Sequence, residues 1–162
     1  QDGLFETIDL AQFMQISGHK VGAGKIPLAA VCHYYQRPDL LAPWTALFEL
    51  LGCWHQMFND LFGWQKDLNN QTRTFFLSEA QRRKQPDEPV ITWVMREGIG
   101  WGVELLQSWL EQLREQADLL GSPALSDYLA QRSQALSAQH ATIAQDLQQM
   151  AALLRAAARI KD

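Results

Sequence analysis

Apolar residues recur three and four positions apart along almost the whole chain, and strict alternation at period two is absent. Such spacing sets one face of each successive helix against a shared interior and asks for no β-structure. The predicted fold class is all-α, an antiparallel helix bundle. Clusters of turn-forming residues divide the pattern at Arg37-Pro38-Asp39, Asn69-Asn70, Gln85-Pro86-Asp87-Glu88-Pro89 and Gly121-Ser122-Pro123. Proline cannot continue a helix as donor, and glycine gains nothing from one, so five or six helices are expected between these breaks.

The first helical region, residues 7–36, is interrupted over residues 17–25, where Gly18, Gly22 and Gly24 each cost about 1 kcal/mol relative to alanine in a regular helix. A kink, or a close approach of backbone to a neighbour, is expected there. Residues 39–67 read as one long helix, apolar around most of its circumference and therefore placed inside the bundle. A shorter helix covers residues 74–83 and a long one residues 88–120. In that long helix Trp93, Trp101 and Trp109 stand eight apart. Eight residues turn an α-helix about 80° past two full turns, so the three are expected to drift around it as core anchors instead of forming one stripe. The last helix, residues 122–160, starts with Ser122 at the N-cap and Pro123 in first position. Leu129, Leu136, Ile143 and Met150 repeat every seven residues beside His140, Leu147 and Leu154, a packing seam against a helix of this chain or of a partner.

Composition narrows the class. With 162 residues, 47% of them hydrophobic, the chain can bury one cooperative core and is too short for two ordinary domains. A single all-α domain over residues 1–162 is expected. Eighteen acidic side chains against 14 basic ones, a net charge of -4, offer no broad field for nucleic acid. Cys32 and Cys53 lie in apolar stretches without CxxC spacing, so buried thiols in a reducing, cytoplasmic compartment are expected. The apolar window 40–58 has the length of a membrane span but contains Glu49, His55 and Gln56, which favours a buried helix over a transmembrane segment. The opening Gln1-Asp2-Gly3 carries no leader pattern, and a processed or truncated product is expected.

One segment carries candidate chemistry. On a continuous helix Asn59, Gly63 and Asp67, four apart, fall within about 80° of one another. An amide oxygen and a carboxylate two turns apart can share a hard cation such as Mg²⁺, whose other positions take water or phosphate oxygens. Lys66 adds positive charge for the same anion. The spacing equally fits the polar end of a buried helix reaching solvent, and Asp60 is expected on a different side, capping or pairing elsewhere.

The run Asn59-Asp60-Leu61-Phe62-Gly63-Trp64-Gln65-Lys66-Asp67 resembles the second metal-binding motif of class I terpene synthases, N-D-[LIV]-x-[ST]-x-x-x-E. Taken from His55, with Gln56 in the glutamine position, it is similar to the F-Q-x-x-D-D element of trans-isoprenyl diphosphate synthases. Lys20-Val21-Gly22, followed by Leu28-Ala29-Ala30-Val31, resembles the K-T-G-x-L-x-x-A-A-V helix of those synthases, and Lys20 precedes Asn59 by 39 residues, close to the family's spacing. Arg73-Thr74-Phe75-Phe76-Leu77-Ser78-Glu79-Ala80 resembles the segment after the metal motif in squalene and phytoene synthases. Together the matches cover roughly residues 13–80.

The resemblance implies a class I isoprenoid synthase fold: helices around an apolar cavity whose mouth binds Mg²⁺ and the diphosphate of a prenyl substrate, which ionises to an allylic cation. Carried over by position, Asn59 and Asp67 would be metal ligands, Lys20 and Lys66 would contact diphosphate, and Gln56 would face the substrate as a catalytic residue beside Lys20. Trp54, Phe58 and Phe62 would line the substrate wall, with core packing as their plain alternative. This chain departs from the family where Gly63 supplies no hydroxyl, Asp67 is shorter than glutamate, and Val21 replaces threonine. The terminal Arg-Tyr pair is absent, and no two aspartates are adjacent anywhere, so the first aspartate-rich motif is missing. These 162 residues are therefore expected to be the C-terminal part of the fold, needing a missing N-terminal half or complementary subunit. Exposed apolar surface would allow homo-oligomerisation. The competing class is a non-catalytic helical module of the same ancestry that binds a protein partner or lipid. A four-helix metal-carboxylate bundle lacks its Glu-x-x-His motifs.

Overall fold

A computed structural model describes residues 7–160 and shows helices joined by short turns, with no strand among the described residues. The order is α1 (Leu10–Lys20), α2 (Gly22–Tyr34), a 3₁₀ turn (Pro38–Leu40), α3 (Leu41–Phe62), α4 (Trp64–Asn69), α5 (Phe75–Arg83), α6 (Val90–Trp93), a π-helical turn (Val94–Gly98), α7 (Ile99–Leu120) and α8 (Pro123–Ile160). The fold class is all-α. No described helix is long and apolar enough to cross a membrane.

Helix α3 runs through the middle and packs against α1, α2, α5 and α7, while α8 folds back along α7. That hairpin turns on Gly121, whose φ of 61° is the left-handed conformation that glycine adopts without a Cβ penalty. Leu47, Trp54, Met57 and Leu61 of α3 meet Leu106, Leu110 and Leu113 of α7 in the core. Full burial of each such leucine is worth about 1.5–3 kcal/mol. The α8 seam is real where it is described: Leu129 and Leu136 are fully buried and Ile143 packs against the core. His140 is half-buried, and the side chains of Leu147, Met150 and Leu154 lie outside the described residues. Cys32 and Cys53 are free, buried thiols, as expected.

Three breaks change the expected elements. Over residues 17–25 only Val21 leaves helical geometry, and both expected causes operate: the chain kinks there, and a Cβ at Gly24 would stand 2.5 Å from the Phe48 ring. The predicted helix over residues 39–67 is divided at Gly63, with φ -96° and ψ 3°. It bends without losing register, because Gly63 N–H still donates to the Asn59 carbonyl at 2.8 Å and Asp67 N–H to the Gly63 carbonyl at 3.1 Å. A Cβ at position 63 would stand 2.8 Å from the Asn59 carbonyl oxygen, so this bend requires glycine.

The third break is the π turn, and it corrects the expected drift of the tryptophans. A π turn absorbs one extra residue, so the eight steps from Trp93 to Trp101 rotate like about seven and bring both rings to nearly the same side. Trp93 and Trp101 lie 6.3 Å apart and both flank Phe76, whereas Trp109 stacks on Phe13 at 6.1 Å. All three are core anchors, as expected, but two of them form one cluster.

Candidate functional site

The bend at Gly63 gives the site its shape. α1 ends beside α3 at Lys20, α4 leaves α3 at an angle carrying Lys66 and Asp67, and the turn after α4 delivers Arg73 and the first residues of α5. The space between them is a cavity of about 370 Å³ lined by Lys20, Gln56, Asn59, Asp60, Gly63, Lys66, Asp67 and Arg73, with Phe13 and Phe75 at its apolar side. Lys20, Gln56, Asn59, Lys66 and Asp67, singled out from the sequence, are thus brought together from three helices. Three cationic side chains face two carboxylates, a balance that suits an anion.

Within this cavity the polar groups are linked. Lys20 Nζ donates to Gln56 Oε1 at 3.0 Å, and Gln56 Nε2 donates to Asp60 Oδ1 at 2.7 Å. Gln56 therefore fixes its amide orientation by bonding a cation on one side and a carboxylate on the other. Asp60 is 4% exposed. Burial pushes its carboxyl up to about 6, opposed by the Gln56 hydrogen bond and assisted by the charge of Asp67; the Lys20 charge and the Phe75 backbone N–H pull it back down.

Asp60 was expected on another side of the helix, and the structure corrects this. Seven residues rotate a helix about 20° short of two turns, so Asp60 lies closer in direction to Asp67 than Asn59 does. The readable signal was the four-residue spacing of Gln56 and Asp60, which puts amide and carboxylate one turn apart. Arg73, noted only within the longer resemblance, also lines the cavity.

Trp54, Phe58 and Phe62 do not line this cavity or the two that adjoin it. The expected aromatic wall is instead core: Trp54 is buried, donates its indole Nε1–H to the Leu106 carbonyl at 3.0 Å, and stacks on Phe58, which contacts Phe62. On α3 these three occupy a strip roughly 100–180° away from Gln56 and Gly63, so the polar and aromatic residues face different sides of the helix.

Two further cavities continue from the first. One, of about 430 Å³, shares Ser17, Lys20, Gln56 and Asn59 with it and adds Phe48, Leu51, His55 and Tyr128. The next, of about 770 Å³, shares Phe48 and Leu51 and is walled mainly by apolar residues including Leu28, Val31, Trp44 and Leu125. Through these shared lining residues the three cavities adjoin in a row along α3, a groove charged at the α4 end and apolar at the α2 end.

The donor set for a divalent cation is small. Among the described residues no three His, Cys, Asp or Glu side chains gather as a metal site. Mg²⁺ is commonly held by only one or two carboxylates while water and phosphate oxygens complete its shell. Asp67 and Asn59 bring one carboxylate and one amide to the wall of the cavity, and Gly63 adds no ligand. Comparison with family models, curated proteins and solved structures finds no match to this chain.

Proposed function

We infer that this chain supplies the diphosphate end and the hydrocarbon groove of a Mg²⁺-dependent class I isoprenoid synthase, a prenyltransferase or terpene synthase acting on a prenyl diphosphate. The observation that carries the reading is the groove itself: Lys20, Gln56, Asn59, Lys66 and Asp67 surround one end and apolar side chains the other. A molecule with a multiply charged head and a hydrocarbon tail matches that polarity.

In this reading Lys20 and Lys66 bind the diphosphate, with Arg73 beside them. Gln56 holds Lys20 in place and faces the substrate. Asn59 and Asp67 hold the cation, which when bound would draw negative charge off the leaving diphosphate. Loss of that diphosphate would leave an allylic cation, which must be kept from water until a π bond attacks it or a proton leaves. The first aspartate-rich motif lies outside these 162 residues, on a preceding segment or complementary subunit. The exposed apolar residues Ile26, Val31, Tyr34 and Tyr35 on and after α2 suit contact with that missing part or a second copy.

The test is turnover of geranyl or farnesyl diphosphate with Mg²⁺. The intact protein, or the chain with its complement, releases diphosphate at least tenfold faster than residues 1–162 alone. No release from the intact protein contradicts the reading. Gly63 favours a second reading, a non-catalytic relative that binds a protein or lipid, because a hydroxyl-bearing side chain would strike the Asn59 carbonyl. Loss of turnover in Asn59→Ala with the fold intact excludes it.

A further inference from the structure

The middle of the groove holds a polar pair that the diphosphate end does not use. His55 Nε2 and the Tyr128 hydroxyl are 2.7 Å apart, joining α3 to α8, and both line the cavity that shares Lys20, Gln56 and Asn59 with the charged end. Their neighbours on that wall, Phe48 and Leu51, also border the apolar groove. One turn of α3 separates His55 from Asn59. The pair therefore stands where the hydrocarbon next to a departing diphosphate would lie.

Its chemistry is that of a proton acceptor. With its own proton on Nδ1, the imidazole accepts the Tyr128 O–H at Nε2 and stays neutral. Burial and the charge of Arg132 hold the His55 pKa below its ordinary value, and the Arg132 guanidinium sits 5.0 Å from the Tyr128 ring centroid. A neutral base beside a carbocation can take a proton without first losing one of its own.

We propose that Tyr128 and His55 form the relay that removes the terminating proton from the allylic cation, an inference that rests on the isoprenoid synthase reading above. The C–H bond next to the cationic carbon breaks and its electron pair becomes the new C=C bond. The proton goes to Tyr128 Oη as the hydroxyl's own proton passes to His55 Nε2, and the imidazolium returns it to water. Electrons and protons balance with no added oxidant or co-reactant.

The test uses the intact protein with farnesyl diphosphate and Mg²⁺ and no second substrate, reading the ratio of proton-loss hydrocarbon to water-quenched alcohol among the products. Tyr128→Phe and His55→Gln each lower that ratio at least tenfold. Glutamine can still accept the tyrosine hydrogen bond but is not a base, so a purely structural tie between α3 and α8 predicts a wild-type ratio in His55→Gln. An unchanged ratio in either variant overturns the proposal while leaving the synthase reading standing. Absence of any diphosphate release from the wild type overturns both. Tyr128→Phe, which keeps the ring under Arg132, guards against a folding defect in the histidine variant, and thermal melting checks both.

Discussion

Two faces of α3 show how one helix divides its labour. Trp54, Phe58 and Phe62 form a filled aromatic strip, with the indole N–H satisfied by the Leu106 carbonyl. Across the helix Gln56, Asp60 and Gly63, with Asn59 between the two faces, border open space. On the first face Trp54 is buried and the half-buried Phe58 and Phe62 pack against the core, so removing the indole leaves a hole. The second holds a buried carboxylate whose charge is held at a cost in folding free energy. The difference indicates that stability comes from one side of the helix and that the groove is maintained on the other.

The largest way to break that comparison is Trp54→Ala. It removes a buried ring and its hydrogen bond to the Leu106 carbonyl, and destabilisation of about 3–5 kcal/mol is expected in denaturant unfolding. On the cavity face the sign reverses. Asp60 keeps its proton to about pH 6 in the folded chain, against an ordinary value of 3.8, so the native state binds more protons across that window and stability falls as pH rises through it. Asp60→Asn removes that loss, and the variant is expected to exceed wild type by up to about 3 kcal/mol at pH 8, converging with it below pH 4. A gap between the two stability curves that does not open across this window would refute the placement of Asp60. A smaller effect is expected from Gly63→Ser, which pushes a Cβ against the Asn59 carbonyl and costs about 1–2 kcal/mol in the same unfolding assay. A neutral result there would mean that the bend relaxes freely.

Much of the architecture was legible because it rests on local chemistry. Ser122 and Pro123 start α8, both marked by residue type. The breaks at Gly63 and at residues 94–98 were not read from the sequence. A glycine inside a helical pattern does not by itself mark a bend, and the π turn lies where Trp93 and Trp101 close on Phe76, a contact across the fold. The site followed the same rule. Spacing on α3 and the lysine 39 residues earlier pointed to the residues that meet at the charged end of the groove. Tyr128 comes from α8, and nothing in its own neighbourhood of the sequence links it to His55. The aromatic strip misled for a physical reason, since a residue beside a polar motif in sequence can face the other way on a helix.

Calorimetric titration of the intact protein with farnesyl diphosphate, with and without Mg²⁺, tests the central claim most directly, with Asn59→Ala and Asp67→Ala as folded controls. The account predicts binding that requires Mg²⁺ and weakens at least tenfold in both variants. Binding of equal strength in the variants, or no binding of either Mg²⁺-diphosphate or the prenyl diphosphate by the wild type, would contradict it.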